Sequence, residues 1–191
     1  MVVEGDPTTA EGRRVDSRPA SGGRSFTTID STGAFTAELS GPLARGRQGE
    51  EHALKILIQA LRRRGDEVML VTGANDSQGE DALLSINRKR VPVQIISIPA
   101  DATVWKELSS GQPTLRSGNI EEAIRLVREA LLHKRDKAKG TLLVLDAAHI
   151  GAIVGRRLTE GYRAKHGDPE KEFPLVEVWI VGPTIRSSIR L

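Results

Sequence analysis

The sequence predicts an α/β protein: a mixed central sheet flanked by helices, with an extra helix and strand on its C-terminal side. Three observations predict it. Apolar residues recur at helical spacing over 46–64, 119–137 and 148–165. Short apolar runs bounded by turn residues occupy 67–72, 81–86, 91–98, 141–145 and 176–181. Their order is helix, three strands, helix, strand, helix, strand. An antiparallel run followed by helical crossovers makes a mixed sheet.

Residues 1–44 are rich in Gly, Ser, Thr and Pro, and Ser17 to Arg24 suits no packed element. Phe26, Ile29 and Phe35 allow one short strand. The segment is expected to be a flexible or loosely docked arm on a domain spanning 45–191. In the first helix, Leu54, Leu57, Ile58 and Leu61 share a face, Arg62 to Arg64 suit the C-terminal end, and Gly65 is a natural stop. The strand from Glu67 to Thr72 is apolar on both faces and is expected inside a sheet. A hairpin follows, with strands at 81–86 and 91–98 and a basic turn, Asn87-Arg88-Lys89-Arg90. Pro92 lacks an N–H, so the second strand starts as an edge or at its first paired residue. Asp101 to Leu108 reads as a short helix. Ser117 or Asn119 caps the long helix, whose buried stripe is Ile120, Ala123, Ile124, Val127 and Leu131. Gly140 ends it, and an apolar strand runs to Asp146. Ile150, Ile153, Val154 and Leu158 line the next helix. Val176 to Val181 is the last strand, and the tail from Ile185 to Leu191 completes the sheet or packs on a second copy in a homodimer.

Composition narrows the function classes. There is no cysteine, which rules out disulfides and thiolate zinc sites and fits a reducing, cytoplasmic location. No apolar run approaches the roughly 20 residues of a membrane helix, and the N-terminus lacks a signal-peptide layout. A net charge of +3 is too small to demand a nucleic-acid partner. The cations do cluster, at Arg62–Arg64, Arg88–Arg90 and Lys134–Lys139. Aromatic residues are 3% of the chain, which disfavours base-stacking platforms. His52, His133, His149 and His166 show no ligand spacing and read as surface residues. No phosphate-binding glycine loop or nucleophile elbow is present.

The chemistry concentrates in the hairpin. Asp81 heads its first strand and Gln94 lies inside its second, so pairing sets a carboxylate beside an amide. Oxygen donors of that kind suit a hard divalent cation. The residues and their order resemble the restriction-endonuclease-like PD-(D/E)XK superfamily, with its αβββαβ core. Gly46-Arg47-Gln48-Gly49-Glu50 resembles the G-x-x-G-E helix start of several branches. Gly79-Glu80-Asp81 resembles the G-x-D that carries the metal aspartate, and Val93-Gln94-Ile95-Ile96 resembles the V-Q-x-K strand of Mrr-like members. The resemblance covers about residues 46–146. It implies a Mg2+- or Mn2+-dependent DNA nuclease, with Asp81 and Gln94 on the metal and Glu50 holding waters or a second cation. The metal would polarise a phosphodiester and acidify a water, and a lysine would stabilise developing charge.

One departure divides the readings. The lysine position is Ile96, which can neither hydrogen-bond nor carry charge. Either Lys106 reaches the site from the next helix, or the chemistry is impaired and the fold binds nucleic acid or a protein without catalysis. A third reading is a small-molecule-binding α/β domain using Asp146 at a strand end. Each residue also has a plain structural explanation. Asp81 caps backbone groups beside a turn, Gln94 is a satisfied buried amide, Glu50 is a first-turn helix acid, and Lys106 is a surface lysine.

Overall fold

The computed structural model describes residues 13–17, 24–29, 35–40, 47–72, 80–98, 114–147, 156–182 and 188–191. Helix α1 (Arg47–Arg64) ends as its letters require. Gly65 takes φ +101°, its N–H donates to the Arg62 carbonyl, and the Asp66 N–H reaches back to Leu61, closing a Schellman cap. Strands β4 (Val68–Thr72), β5 (Ala82–Ile86) and β6 (Lys89–Ser97) form an antiparallel meander. Helix α2 (Ile120–Lys134) starts at Asn119, whose side-chain oxygen accepts the Glu122 N–H at 3.0 Å. It leads to β8 (Leu142–Asp146), parallel to β6. Helix α3 (Arg156–His166) and the single turn α4 (Pro169–Glu172) lead to β9 (Glu177–Val181), parallel to β8. The tail pairs within the chain, as β10 (Ser188–Arg190) antiparallel to β9. The resulting mixed sheet has the order β10-β9-β8-β6-β5-β4.

Alternation along the central strands builds a core on each face. Leu142 and Val144 of β8, with Val93 and Ile95 of β6, pack against Leu54, Ile56, Leu57 and Leu61 of α1. Leu143 and Leu145 face the other way, onto Val127 and Leu131 of α2 and Leu158 and Tyr162 of α3. Each fully buried Leu or Ile contributes roughly 1.5–3 kcal/mol relative to exposure. Gly161 permits the close approach of α3 to α2, because a Cβ there would lie 2.9 Å from Ile124 Cδ1. Arg128 joins the same layer, pairing with Glu172 and lying 5.2 Å from the Phe173 ring centre. Among the described residues, no helix is long and apolar enough to cross a membrane.

Four expectations change. The 1–44 segment contributes β1 (Arg13–Ser17), β2 (Arg24–Ile29) and β3 (Phe35–Ser40), which join β7 (Thr114–Gly118) in a second sheet ordered β1-β2-β3-β7. In place of one short strand there is an antiparallel series, in which β1 pairs with β2, β2 with β3, and β3 with the distant β7. Among the described residues β4 is an edge strand: Met69 is 56% exposed, Leu70 50% and Val71 42%. The hairpin turn is only Asn87-Arg88, and Lys89 and Arg90 already belong to β6. Pro92 lies inside β6 opposite Leu83, and β6 has a neighbour on each side. Alternation turns its nitrogen toward β8, whose pairing with β6 begins only at Val93, so no ladder bond is sacrificed. The expected helix at 101–108 and the first part of the helix expected at 148–165 lie outside the described residues.

Candidate functional site

The β5–β6 ladder brings the hairpin residues together. The register runs to Ala82 opposite Val93, and Asp81 precedes Ala82 at the end of β5, reaching Val93 and Ile95 of β6. β5 ends there while β6 runs on, leaving backbone groups of β6 to be satisfied by something other than a strand. Asp81 supplies the partner. Its N–H donates to the Val93 carbonyl at 3.0 Å, and its carboxylate Oδ2 accepts the Ile95 N–H at 2.6 Å. The aspartate extends the ladder by one residue using its side chain.

Gln94 shares the parity of Ile96 and points to the α2 face. It is 3% exposed, and its Oε1 accepts from Lys134 Nζ at 2.9 Å. Helix α2 positions that lysine: Lys134 follows Val127 and Leu131 on the buried stripe, so its stem runs along the core and its ammonium meets the amide. It also lies in the last turn, where the helix dipole favours a cation. A hydrogen bond from a charged donor to a buried amide is worth roughly 1.5–3 kcal/mol. By sequence, Lys134 is only one member of a basic cluster. The available signal was its place on the apolar stripe, at i+3 from Leu131 and i+7 from Val127.

Glu50 sits in the first turn of α1, which packs on the face opposite α2, so it does not share a face with the Gln94 side chain. Lys106 and Gly79 lie outside the described residues. Ile96 packs against the α2–α3 core. Asp146 ends β8, buried at 3% exposure and level with Ser97 and Val181. Among the described residues, no three His, Cys, Asp or Glu side chains are grouped as a metal site.

Magnesium requires oxygen donors at roughly 2.0–2.1 Å in near-octahedral array. As arranged, the pair does not fit it. One Asp81 oxygen is committed to a backbone N–H, and the Gln94 carbonyl is in contact with an ammonium, which competes for the lone pair and repels a second cation. The arrangement can instead hold the sheet end and one lysine in fixed positions.

Two other polar groups stand out. His52, expected at the surface, is only partly exposed, and its Nε2 is buried without a hydrogen-bond partner; burial, then Lys55, pushes its pKa down. Asp66, at the entrance to β4, has its carboxyl held below the usual aspartate range, first by the Asn87 amide (2.8 Å) and then by Arg64. No family model, curated protein or solved structure matches the chain.

Proposed function

We propose that this is a nuclease-derived protein of the restriction-endonuclease-like αβββαβ kind, with impaired chemistry, which binds nucleic acid, DNA in the first instance, without cleaving it. The strand order β8-β6-β5-β4, with α1 on one face and α2 on the other, supports the fold part of this reading. The observation that carries the functional part is the 2.9 Å contact between Lys134 Nζ and Gln94 Oε1. It gives the buried amide a structural partner at the position where the resemblance would put a metal ligand. Fold likeness alone would not separate catalysis from binding; this contact favours binding.

The same contact supports a second reading. Lys134 brings an ammonium to the hairpin that Ile96 withholds, so a metal-dependent nuclease with its lysine on α2 is the alternative. Incubating the protein with plasmid and linear duplex DNA, in Mg2+, Mn2+ or EDTA, decides between them. The proposal expects binding that weakens with salt and no metal-dependent cleavage. Cleavage that disappears in both Asp81→Ala and Lys134→Ala would replace it with the nuclease reading.

A further inference from the structure

We infer that the end of the six-stranded sheet carrying the β5–β6 turn is the face that contacts the phosphate backbone of nucleic acid, with Arg88 at its tip; this rests on the nucleic-acid reading above. The first observation is conformational. Asn87 and Arg88 form a two-residue hairpin turn in which both have positive φ, 49° and 68°. Such turns favour Asn followed by Gly, because the second position is left-handed and a Cβ is strained there. Arginine occupies it here, with a side chain 91% exposed. Local folding would be served better by glycine, so the cation itself is what the position offers.

The turn is held rigidly. The Asn87 N–H donates to the Glu67 carbonyl at 2.9 Å, its Oδ1 accepts the Glu67 N–H at 3.0 Å, and its Nδ2 donates to Asp66. A cation on a fixed turn loses less freedom on meeting a phosphate than one on a loose loop.

The second observation is convergence. Lys89 and Arg90 flank the tip and are exposed. Because Leu142 stands opposite Val93 in a parallel pair, the connection from α2 into β8 lies at this same end of the sheet. That connection carries Arg135, Lys137 and Lys139, all exposed. The acids at this end fall into two groups: Glu67, 4.0 Å from Arg88, and Asp136, 3.4 Å from Arg135, are loose surface pairs, whereas Asp66 is held by Asn87 and Arg64, Glu172 by Arg128, and Glu177 by Arg64 and Arg190. The third basic cluster is engaged by neighbours within the chain. Arg62 donates to the Val68 carbonyl, Arg63 to Ser188 Oγ, and Arg64 to Asp66 and Glu177. Separated basic clusters that meet at one end of the sheet, where Asp66, Glu172 and Glu177 are already paired to other cations, match a polyanion carrying regularly spaced phosphates.

The test measures affinity for a labelled 30-base-pair duplex by fluorescence anisotropy across a salt series, for the full chain and for Arg88→Gly, Arg88→Gly/Lys89→Ser/Arg90→Ser, and Lys165→Ser as a control remote from the turn. Arg88→Gly relieves the left-handed strain, so its thermal midpoint should hold or rise while its affinity falls. The slope of log K against log salt should drop by about 0.9 for each phosphate no longer neutralised, and the triple variant should show a larger drop than the single. Lys165→Ser should leave affinity and slope unchanged. Duplex binding by the unaltered chain with no change in the triple variant would overturn this surface and leave the function proposal intact. Failure of the unaltered chain to bind duplex or single strands at low salt would sink both. Tighter binding of the turn to phosphatidylserine vesicles than to duplex would reassign the face to a membrane.

Discussion

β4 and β8 have nearly interchangeable letters, Val68-Met69-Leu70-Val71-Thr72 against Leu142-Leu143-Val144-Leu145-Asp146, and opposite environments. Every residue of β8 is buried, with α1 on one side and α2 and α3 on the other. Among the described residues β4 pairs only with β5, and three of its apolar side chains are about half exposed. Its free edge is guarded in part by Arg62, whose guanidinium donates to the Val68 carbonyl at 2.9 Å. An apolar run states that a strand can be buried; only the neighbours determine whether it is. The same contrast applies to polar groups. Gln94, beside the central strand, is sealed against Lys134, whereas Asp66, at the entrance to β4, keeps its partners near water.

The largest effect that sharpens this contrast is expected in β8. Leu143→Ala should lower unfolding free energy by about 2–5 kcal/mol, read by urea denaturation, and Leu70→Ala in β4 by under about 1 kcal/mol. Equal losses would mean that the β4 edge is covered in solution, and the contrast would break. Next comes the buried amide. Lys134→Met leaves the Gln94 oxygen without its cation and should cost about 1–3 kcal/mol. Gln94→Leu combined with Lys134→Met should recover much of that loss, and strict additivity of the two would argue against a direct bond.

Asp81→Ala should cost about 1–2 kcal/mol, because the Ile95 N–H then lacks its acceptor. Asp81→Asn should cost less, since an amide oxygen can still accept. The smallest effect is electrostatic. The Asp66 carboxyl is held below its ordinary value in the folded chain, so its contribution is complete above that value and fades as pH falls through the lower folded one. In an NMR titration over about pH 2–5, Asn87→Gly should move the Asp66 midpoint upward while the left-handed turn is retained. An unmoved midpoint would show that Arg64 alone holds it.

Local chemistry made much of the fold legible. Arg62 to Gly65 announced the end of α1, Asn119 announced the start of α2, and the stripe through Ala123, Ile124, Val127 and Leu131 marked its buried face. The antiparallel pairing of the two hairpin strands was legible too, because alternation and a short turn leave little choice of register. Lys134 was hidden, since a lysine on an apolar stripe resembles an ordinary helix end until the surface beneath it is known. Of the strands in 13–40, β1–β2 and β2–β3 pair between neighbours in the chain, whereas the pairing of β3 with β7 joins residues some eighty positions apart, which local patterning cannot report.

The amino-acid sequence by itself determined the helices α1 and α2, the strands β4, β5, β6, β8 and β9, where α1 stops, and that β5 and β6 form a hairpin. These follow from spacing and from the backbone preferences of Gly, Pro and Asn, which act within a few residues. Tertiary structure alone decided that β4 is an edge, that Glu50 and Gln94 belong to opposite faces, and that the basic connection after α2 shares one end of the sheet with Arg88. Those outcomes depend on strand order and on which helix covers which face. They arise from burial summed over the whole chain, to which no short stretch of letters has access.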